Sequence, residues 1–208
     1  MLPTFSSTKR VCFDDFVFFV DENVYDPAED SFLFAENVSV GEGDLVLDIG
    51  TGCGILGILA AKRARWVIAA DVNPYALGCA RGNAALNGVQ DRLSFLQGDL
   101  FSPLCKLAKF DIVFFNAPYL PSGEVTASSW AERAWAGGES GRVVIDRFIR
   151  DVKNHLRKTG HIQLMQSTFA GVAETIRLFK RSGMNAKITA ELGLPFFERL
   201  FLIEARFS

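Results

Sequence analysis

Leu-Val-Leu-Asp-Ile-Gly-Thr-Gly-Cys-Gly, residues 45–54, is the stretch that decides the fold of this chain. Its apolar start predicts a short strand, its glycines predict a loop, and the leucine-, isoleucine- and alanine-rich segment Ile55–Lys62 predicts a helix. A glycine loop between a strand and a helix lets a ligand approach the backbone, and the N-terminus of the helix favours negative charge. The stretch therefore predicts the first unit of an α/β fold with a ligand at its glycine loop.

Apolar runs and segments of helical period alternate from residue 44 onward, which predicts a parallel sheet covered by helices on both faces. Further strands are expected over residues 66–70, 93–96, 110–115 and 162–165, with helices over 74–87, 145–156 and 172–183. We expect Thr159-Gly160 to end the second of these helices. Two last strands, near residues 186–190 and 200–205, can pair antiparallel, and residues 11–24 suit a hairpin.

Length and charge narrow the class of protein. A chain of 208 residues that is 49% hydrophobic predicts one domain over residues 1–208, with residues 1–30 as an N-terminal extension. The formal net charge of -2 lacks the basic excess that supports stable binding to nucleic acid. No apolar run reaches the roughly 18 residues of a membrane span. We therefore expect a cytoplasmic protein that binds no membrane.

The cysteines predict no metal site. Cys12, Cys53, Cys79 and Cys105 lie far apart and form no CxxC pair, so neither a zinc site nor a disulfide framework is indicated. Free thiols in a reducing compartment are the simplest interpretation.

The phenylalanines leave two interpretations open. The chain has 19 of them, and clusters at Phe16–Phe19 and Phe196-Phe197 are hard to place together in one core. An aromatic-rich core is the simpler interpretation, and an apolar contact surface for a partner is the alternative.

Three acids follow three successive predicted strands. Asp71 lies about 20 residues beyond Gly52-x-Gly54, where a dinucleotide-binding fold places the acid that binds ribose hydroxyls, so a nicotinamide dehydrogenase is one reading. Asp48 argues against it, because a carboxylate before the glycines suits an aminoacyl ammonium better than a pyrophosphate. Asp99 can accept from an adenine amino group.

The segment Asn116-Ala117-Pro118-Tyr119 directly follows a predicted strand, at the sheet edge where ligands bind. An amide nitrogen is a poor nucleophile, because its lone pair is delocalised into the carbonyl. Methylation requires two acceptors to hold the NH2 group while an electrophile waits in line. The Asn116 side-chain oxygen and the Ala117 carbonyl can be those acceptors, and Tyr119 can stack on the planar group.

Residues 116–119 resemble the Asn-Pro-Pro-Tyr motif of amino methyltransferases, which act on DNA, RNA and protein glutamine. Together with residues 25–31, 48–54, 98–100 and 134–138, they look like the short HemK-related branch of archaea and eukaryotes. The resemblance runs from about Val20 to Ala205. It implies a class I methyltransferase fold, a Rossmann-like three-layer sandwich whose seven-stranded, mostly parallel sheet has an antiparallel last strand. It also implies methyl transfer from S-adenosylmethionine to the glutamine amide of the Gly-Gly-Gln motif in class 1 peptide-chain release factors.

The resemblance assigns roles by position. Asn116, Ala117, Pro118 and Tyr119 form the catalytic segment. The residues that bind the cofactor are expected to be Ser31, Asp48, Gly50, Thr51, Gly52, Asp71, Asp99, Leu100 and Asn116.

One position departs from the family motif. Ala117 replaces its first proline, which removes a rigid ring, but a residue before Pro118 is still pushed toward extended geometry and its carbonyl stays available. We expect activity to survive.

The resemblance also implies a partner, because chains of this branch are similar to one half of a heterodimer whose other half is a small zinc-binding activator that pairs with the sheet edge near the third strand. The short strand 93–96 and the surplus of phenylalanine suit such an edge. The metal would belong to the partner.

Four other functions remain open at this point. A lysine or a nucleic acid is an alternative methyl acceptor, a nicotinamide dehydrogenase shares the glycine loop, and an inactive binding scaffold could retain the fold. His155 and His161, the only histidines, lie away from the predicted loops, which disfavours the dehydrogenase.

Overall fold

The computed structural model describes residues 8–122 and 129–208. Among these residues the strands are β1 Thr8–Phe13, β2 Phe16–Asp21, β3 Leu45–Ile49, β4 Trp66–Asp71, β5 Leu93–Gln97, β6 Phe110–Asn116, β7 Leu156–Ser167, β8 Met184–Gly193 and β9 Arg199–Phe207. The helices are α1 Glu29–Glu36, α2 Ile55–Ala61, α3 Pro74–Leu86, α4 Trp130–Arg133, α5 Val143–Val152 and α6 Val172–Arg181.

Seven of these strands form one sheet in the order β5-β4-β3-β6-β7-β9-β8. Strands β5, β4, β3, β6 and β7 run parallel, and β9 is antiparallel to both of its neighbours. The predicted α/β class and the mostly parallel sheet with an antiparallel last strand are therefore confirmed.

The order of the strands reverses beside β3. The chain first adds β4 and β5 on one side of β3 and then returns to place β6 on the other side. Helices that follow β3 and β6 consequently leave in opposite directions, and a crevice opens between the carboxyl ends of these two strands. The glycine loop after β3 and Asn116 at the end of β6 meet at this crevice.

Two apolar clusters fill the two faces of the sheet. On β6, Ile112 and Phe114 join the cluster that contains residues of α1, α2 and α3. Val113 and Phe115 alternate with them and join the cluster that contains residues of α5 and α6. Since successive strand side chains point to opposite faces, one buried strand serves both layers, and the result is a three-layer sandwich.

The N-terminal hairpin of β1 and β2 packs on α3 through an asparagine. The buried Asn83 side chain accepts from the Phe19 backbone N–H at 2.9 Å and donates to the Phe19 carbonyl at 2.9 Å. Its amide thus continues the hydrogen bonding of β2 as a strand would. The Phe16–Phe19 cluster is buried or half-buried against the rest of the chain.

One boundary differs from the sequence prediction. The helix expected over 145–156 ends at Val152, and Leu156 already begins β7, where it pairs with Phe110. Gly160 ends no helix. It lies within β7, where an added Cβ would come within 2.5 Å of the Asp111 carbonyl oxygen, so close packing against β6 requires glycine. Leu156 has helical spacing because strand and helix both bury it against the same cluster.

Within the part of the chain that the structure describes, no helix is both long and apolar enough to cross a bilayer.

The core prediction concerns Phe114, which is fully buried and forms an edge-to-face pair with Phe34 at 5.5 Å between ring centroids. Phe114→Ala should lower the free energy of unfolding by about 3–5 kcal/mol, because it removes apolar burial and leaves a cavity. Leu107→Ala is the control, since Leu107 is 85% exposed. Urea unfolding measures both, and equal stabilities for the two variants would contradict the assigned core.

Candidate active site

A cavity of about 340 Å³ opens at the carboxyl ends of β3, β4 and β6. Pockets of this size hold small ligands and cofactors. The predicted site residues that line it are Ser31, Gly50, Thr51, Gly52, Asp71, Asn116, Ala117, Pro118 and Tyr119. Segments that are distant in sequence, the start of α1, the glycine loop and the end of β6, thus share one wall.

Asp48 lies beneath the glycine loop. Its Oδ2 accepts from the Thr51 hydroxyl at 2.6 Å and from the Gly57 backbone N–H at 3.0 Å. A Cβ at Gly57 would come within 2.9 Å of this oxygen, which explains the glycine in the first turn of α2. Asp48 does not line the cavity, and its Oδ1 is buried without a partner among the described residues.

Burial raises the pKa of Asp48 to about 7, although the hydrogen bonds from Thr51 and Gly57 oppose this shift. The carboxyl group is therefore close to the midpoint of its titration at neutral pH in the folded protein.

Asp71, at the end of β4, closes the other side of the loop. Its Oδ2 accepts from the Gly52 N–H at 3.0 Å and its Oδ1 from the Asn73 N–H at 2.9 Å. Burial raises its pKa above the ordinary value. The Asn73 side chain caps α3 by accepting from the Tyr75 N–H, so Asp71 is held between a loop and a helix start.

Asp30 is a site residue that the sequence did not single out, and its partner Tyr25 is another. This buried carboxylate in the first turn of α1 accepts from the Tyr25 hydroxyl at 3.1 Å, the Tyr119 hydroxyl at 3.3 Å and the Asn116 Nδ2 at 3.0 Å. The backbone and hydroxyl of Ser31 also donate to it. Its only signal in the sequence was membership of the stretch 25–31, next to the predicted Ser31.

These contacts fix the orientation of the Asn116 side chain. Nδ2 donates to Asp30 and, at 3.3 Å, to the Ser31 hydroxyl. The opposite end, Oδ1, is buried and has no partner among the described residues. A buried acceptor without a donor is costly, so this oxygen identifies the position where a ligand donor would bind.

The two tyrosines of the network are neutral. Burial is the main cause that raises the pKa of Tyr25 and of Tyr119, and the nearby charge of Asp30 adds to it. Both phenols therefore remain hydrogen-bond donors to Asp30.

Two predicted residues lie apart from this group. Asp99 is exposed and forms an ion pair with Arg147, and Leu100 packs into the core with a positive φ of 50°. Neither lines the cavity, and their cofactor roles stay a prediction.

Described residues between positions 120 and 141 form part of the cavity wall. Leu120, Trp130 and Trp135 line the cavity, and the Leu120 N–H donates to the Trp135 carbonyl at 3.1 Å. Residues 123–128 of this segment lie outside the described residues.

Neither histidine reaches the cavity. His155 stacks on Phe101 with its Nδ1 3.1 Å from the Ala108 carbonyl, and His161 lies within β7. A dehydrogenase would need a proton-transfer group that these histidines do not supply.

A seven-stranded sheet with this reversal, a glycine loop and an amide-bearing motif after β6 define the class, a Rossmann-like methyltransferase. The profile of the methyltransferase small domain family matches residues 18–189. The chain belongs to this family and is of the HemK type within it. The cofactor of this methyltransferase family member is S-adenosylmethionine.

Individual relatives support this assignment. A Methanocaldococcus jannaschii protein named as an N5-glutamine methyltransferase is 42% identical over 88% of this chain and 91% of its own. Human methyltransferase HEMK2 is 32% identical over 78% of this chain and 80% of its own. This chain also matches one chain in a solved complex of E. cuniculi Mtq2 with Trm112, with a TM-score of 0.68 and 25% identity. That complex is described as responsible for methylating the eRF1 termination factor. That match covers 89% of this chain and 99% of that one.

The raised pKa of Asp48 predicts a pH dependence of stability. The folded protein retains this proton up to about pH 7, whereas the unfolded chain releases it near the ordinary aspartate pKa of 3.8. The folded state then binds more protons between these values, so this contribution to stability falls as the pH rises through that window. Asp48→Asn removes it. Urea unfolding at several pH values should show wild type losing stability relative to the variant between about pH 4 and 7, and a constant difference would refute the shift.

Proposed function

We propose that this enzyme transfers a methyl group from S-adenosylmethionine to the side-chain amide nitrogen of a protein glutamine. The observation that carries the proposal is the buried, unpartnered Oδ1 of Asn116 in a cavity wall. An amide NH2 group offers two donors in one plane, and a site for it needs acceptors at matching positions. Asn116 Oδ1 is one such acceptor, and the Ala117 carbonyl is the second.

The alanine in the motif is compatible with this role. Ala117 is buried, and its N–H donates to the Met165 carbonyl at 3.3 Å. A proline at position 117 has no N–H and could not donate this bond. The hydrogen bond to β7 therefore restrains the backbone at Ala117, as the proline ring would in the family motif. Pro118 still restricts the backbone of Ala117.

The residues present fit the cofactor. When bound, S-adenosylmethionine supplies a sulfonium-activated methyl group. Asp71 at the end of β4 would accept from the ribose hydroxyls, and the backbone of Gly50–Gly52 allows close approach. Asp48 lies beneath the glycine loop and does not line the cavity, so its predicted contact with the aminoacyl ammonium stays a prediction; Thr51 and Gly57 bind its other oxygen.

The chain's own residues contribute orientation and electrostatics. Asn116 and the Ala117 carbonyl would hold the amide nitrogen so that its lone pair faces the methyl group in line. Acceptance of the methyl group would leave positive charge on the nitrogen, and the same two oxygens would stabilise that charge. The nitrogen then loses one proton to solvent and leaves a neutral methylamide.

Release factors are the proposed substrates, and the glutamine is that of the Gly-Gly-Gln motif. The proposal is supported by the N5-glutamine methyltransferase of M. jannaschii and by the Mtq2–Trm112 complex described as methylating eRF1. A substrate that works on ribosomes suits a cytoplasmic enzyme.

A small zinc-binding subunit is the proposed partner. The solved relative is a two-protein complex, and β5 is an outermost strand of the sheet in this chain. Phe95 and Leu96 on β5 are only half-buried. An edge strand with apolar side chains can accept another strand.

The direct test is incubation with labelled S-adenosylmethionine and a class 1 release factor, with and without a matching small zinc-binding subunit. We expect the release factor to become labelled, and we expect this label to be lost when the glutamine of the Gly-Gly-Gln motif is changed to alanine. Tight cofactor binding without any label would reject this substrate.

Asn116→Ala should reduce turnover by about 10²-fold or more, because it removes an acceptor that acts on the developing charge. Cofactor affinity, measured by calorimetry, should change little. Asn185→Ala is the matched control, since this exposed asparagine lies on the edge strand β8. A variant at position 116 with near wild-type turnover would exclude the assigned role.

A further inference from the structure

The loop between β8 and β9 carries two aromatic side chains that the fold leaves uncovered. Phe196 is 93% exposed and Phe197 is fully exposed. We call this pair the aromatic tip. A hydrogen bond of 2.8 Å from the Leu194 N–H to the Glu198 carbonyl closes the loop behind it.

The backbone of the aromatic tip is strained as well. Phe196 and Phe197 have φ values of 60° and 65°, in the left-handed region that glycine and asparagine adopt far more readily than bulky residues. Two consecutive phenylalanines there gain no apolar burial among the described residues. Neither local conformation nor core packing accounts for their side chains, which points to a contact outside the chain.

The sheet places the aromatic tip at the same edge as the cavity. In the register of β7 with β9, Ser167 pairs with Leu200, so the loop before β9 lies where β7 ends. Asn116 pairs with Met165 of β7, two residues earlier. The amide-binding motif at the end of β6 and the aromatic tip before the start of β9 therefore lie at the same edge of the sheet, on either side of the end of β7.

The loop and the motif also share an apolar cluster. Leu194 and Tyr119 pack against the same apolar cluster. Burial is the main cause of the raised pKa of Tyr119, and the charge of Glu198 also contributes, which requires proximity.

A third exposed ring continues the surface. Phe169, in the turn after β7, is 50% exposed. The neighbouring Thr168 hydroxyl accepts from the Arg199 N–H at 3.2 Å, which ties this turn to the end of the loop. Apolar surface thus extends from the aromatic tip along the edge that a macromolecular substrate must approach.

We propose that the aromatic tip docks the protein substrate, by contacting apolar side chains on the polypeptide that carries the methylated glutamine. This inference rests on the proposed function. A glutamine side chain can enter the cavity only if its own backbone lies across this edge, and the aromatic tip stands directly beside that path. The flanking ion pair of Glu191 with Arg199 is neutral overall, so the contact relies on apolar burial and not on net charge.

The test replaces both residues by glycine, which removes the rings and relieves the strained conformation. For the Phe196→Gly, Phe197→Gly variant, KM for an intact release factor should rise about tenfold, as expected when an aromatic hot spot is lost. The kcat, the cofactor affinity and the KM for a short Gly-Gly-Gln peptide should stay close to wild type. The temperature of unfolding should stay the same or rise.

Leu107→Gly is the control, because Leu107 is a highly exposed apolar residue shortly before the start of β6, at the opposite edge of the sheet. It should leave all of these parameters unchanged. An unchanged KM for the intact factor in the double variant overturns the docking proposal and leaves the proposed function standing. The docking proposal is also overturned if the double variant keeps its KM but loses a dimer or loses binding of the zinc-binding subunit. If the wild-type enzyme methylates neither the release factor nor the peptide, the proposed function is overturned, and the release factor is no longer the partner of the aromatic tip.

Discussion

The buried carboxylate of Asp30 is the constraint on which the site depends. The two ends of the Asn116 amide have similar shapes and opposite hydrogen-bonding roles, and packing alone would not choose between them. Asp30 accepts from Nδ2 at 3.0 Å and thereby directs Oδ1 to the remaining position. Tyr25 and Tyr119 donate to the same carboxylate, so one acid orders three segments of the chain.

Asp30 can act in this way because the sheet topology places its hydrogen-bond partners at one edge. The reversal between β3 and β6 brings Asn116 beside the glycine loop, and α1 crosses the same edge with Asp30 in its first turn. Most acceptors around the glycine loop are paired, as with the Oδ2 atoms of Asp48 and Asp71. The few unpaired buried atoms are consequently informative, and two of them, on Asn116 and Asp48, lie at or beneath the cavity wall.

Much of this was predictable, for physical reasons. Strands buried on both faces are continuous apolar runs, so β3, β4 and β6 were recognisable, and their carboxyl ends located the motif residues. The start of β7 was not, because Leu156 suits a buried helix and a buried strand equally. Asp30 was missed because an acid in a first helical turn usually favours the helix dipole from the surface. Asp99 shows the converse. It occupies the expected sequence position, yet its carboxylate faces Arg147 and solvent.

The phenylalanines show where composition stops being informative. Phe16–Phe19 and Phe196-Phe197 are similar clusters in sequence, and both raised the same two interpretations. Asn83 continues the hydrogen bonding of β2 and so holds the first cluster against α3, where its rings are covered. The second lies in a loop whose ends are fixed by the pairing of β8 with β9, and its two rings remain exposed. Burial of an aromatic residue is thus decided by neighbouring backbone geometry, which single-sequence hydrophobicity does not encode.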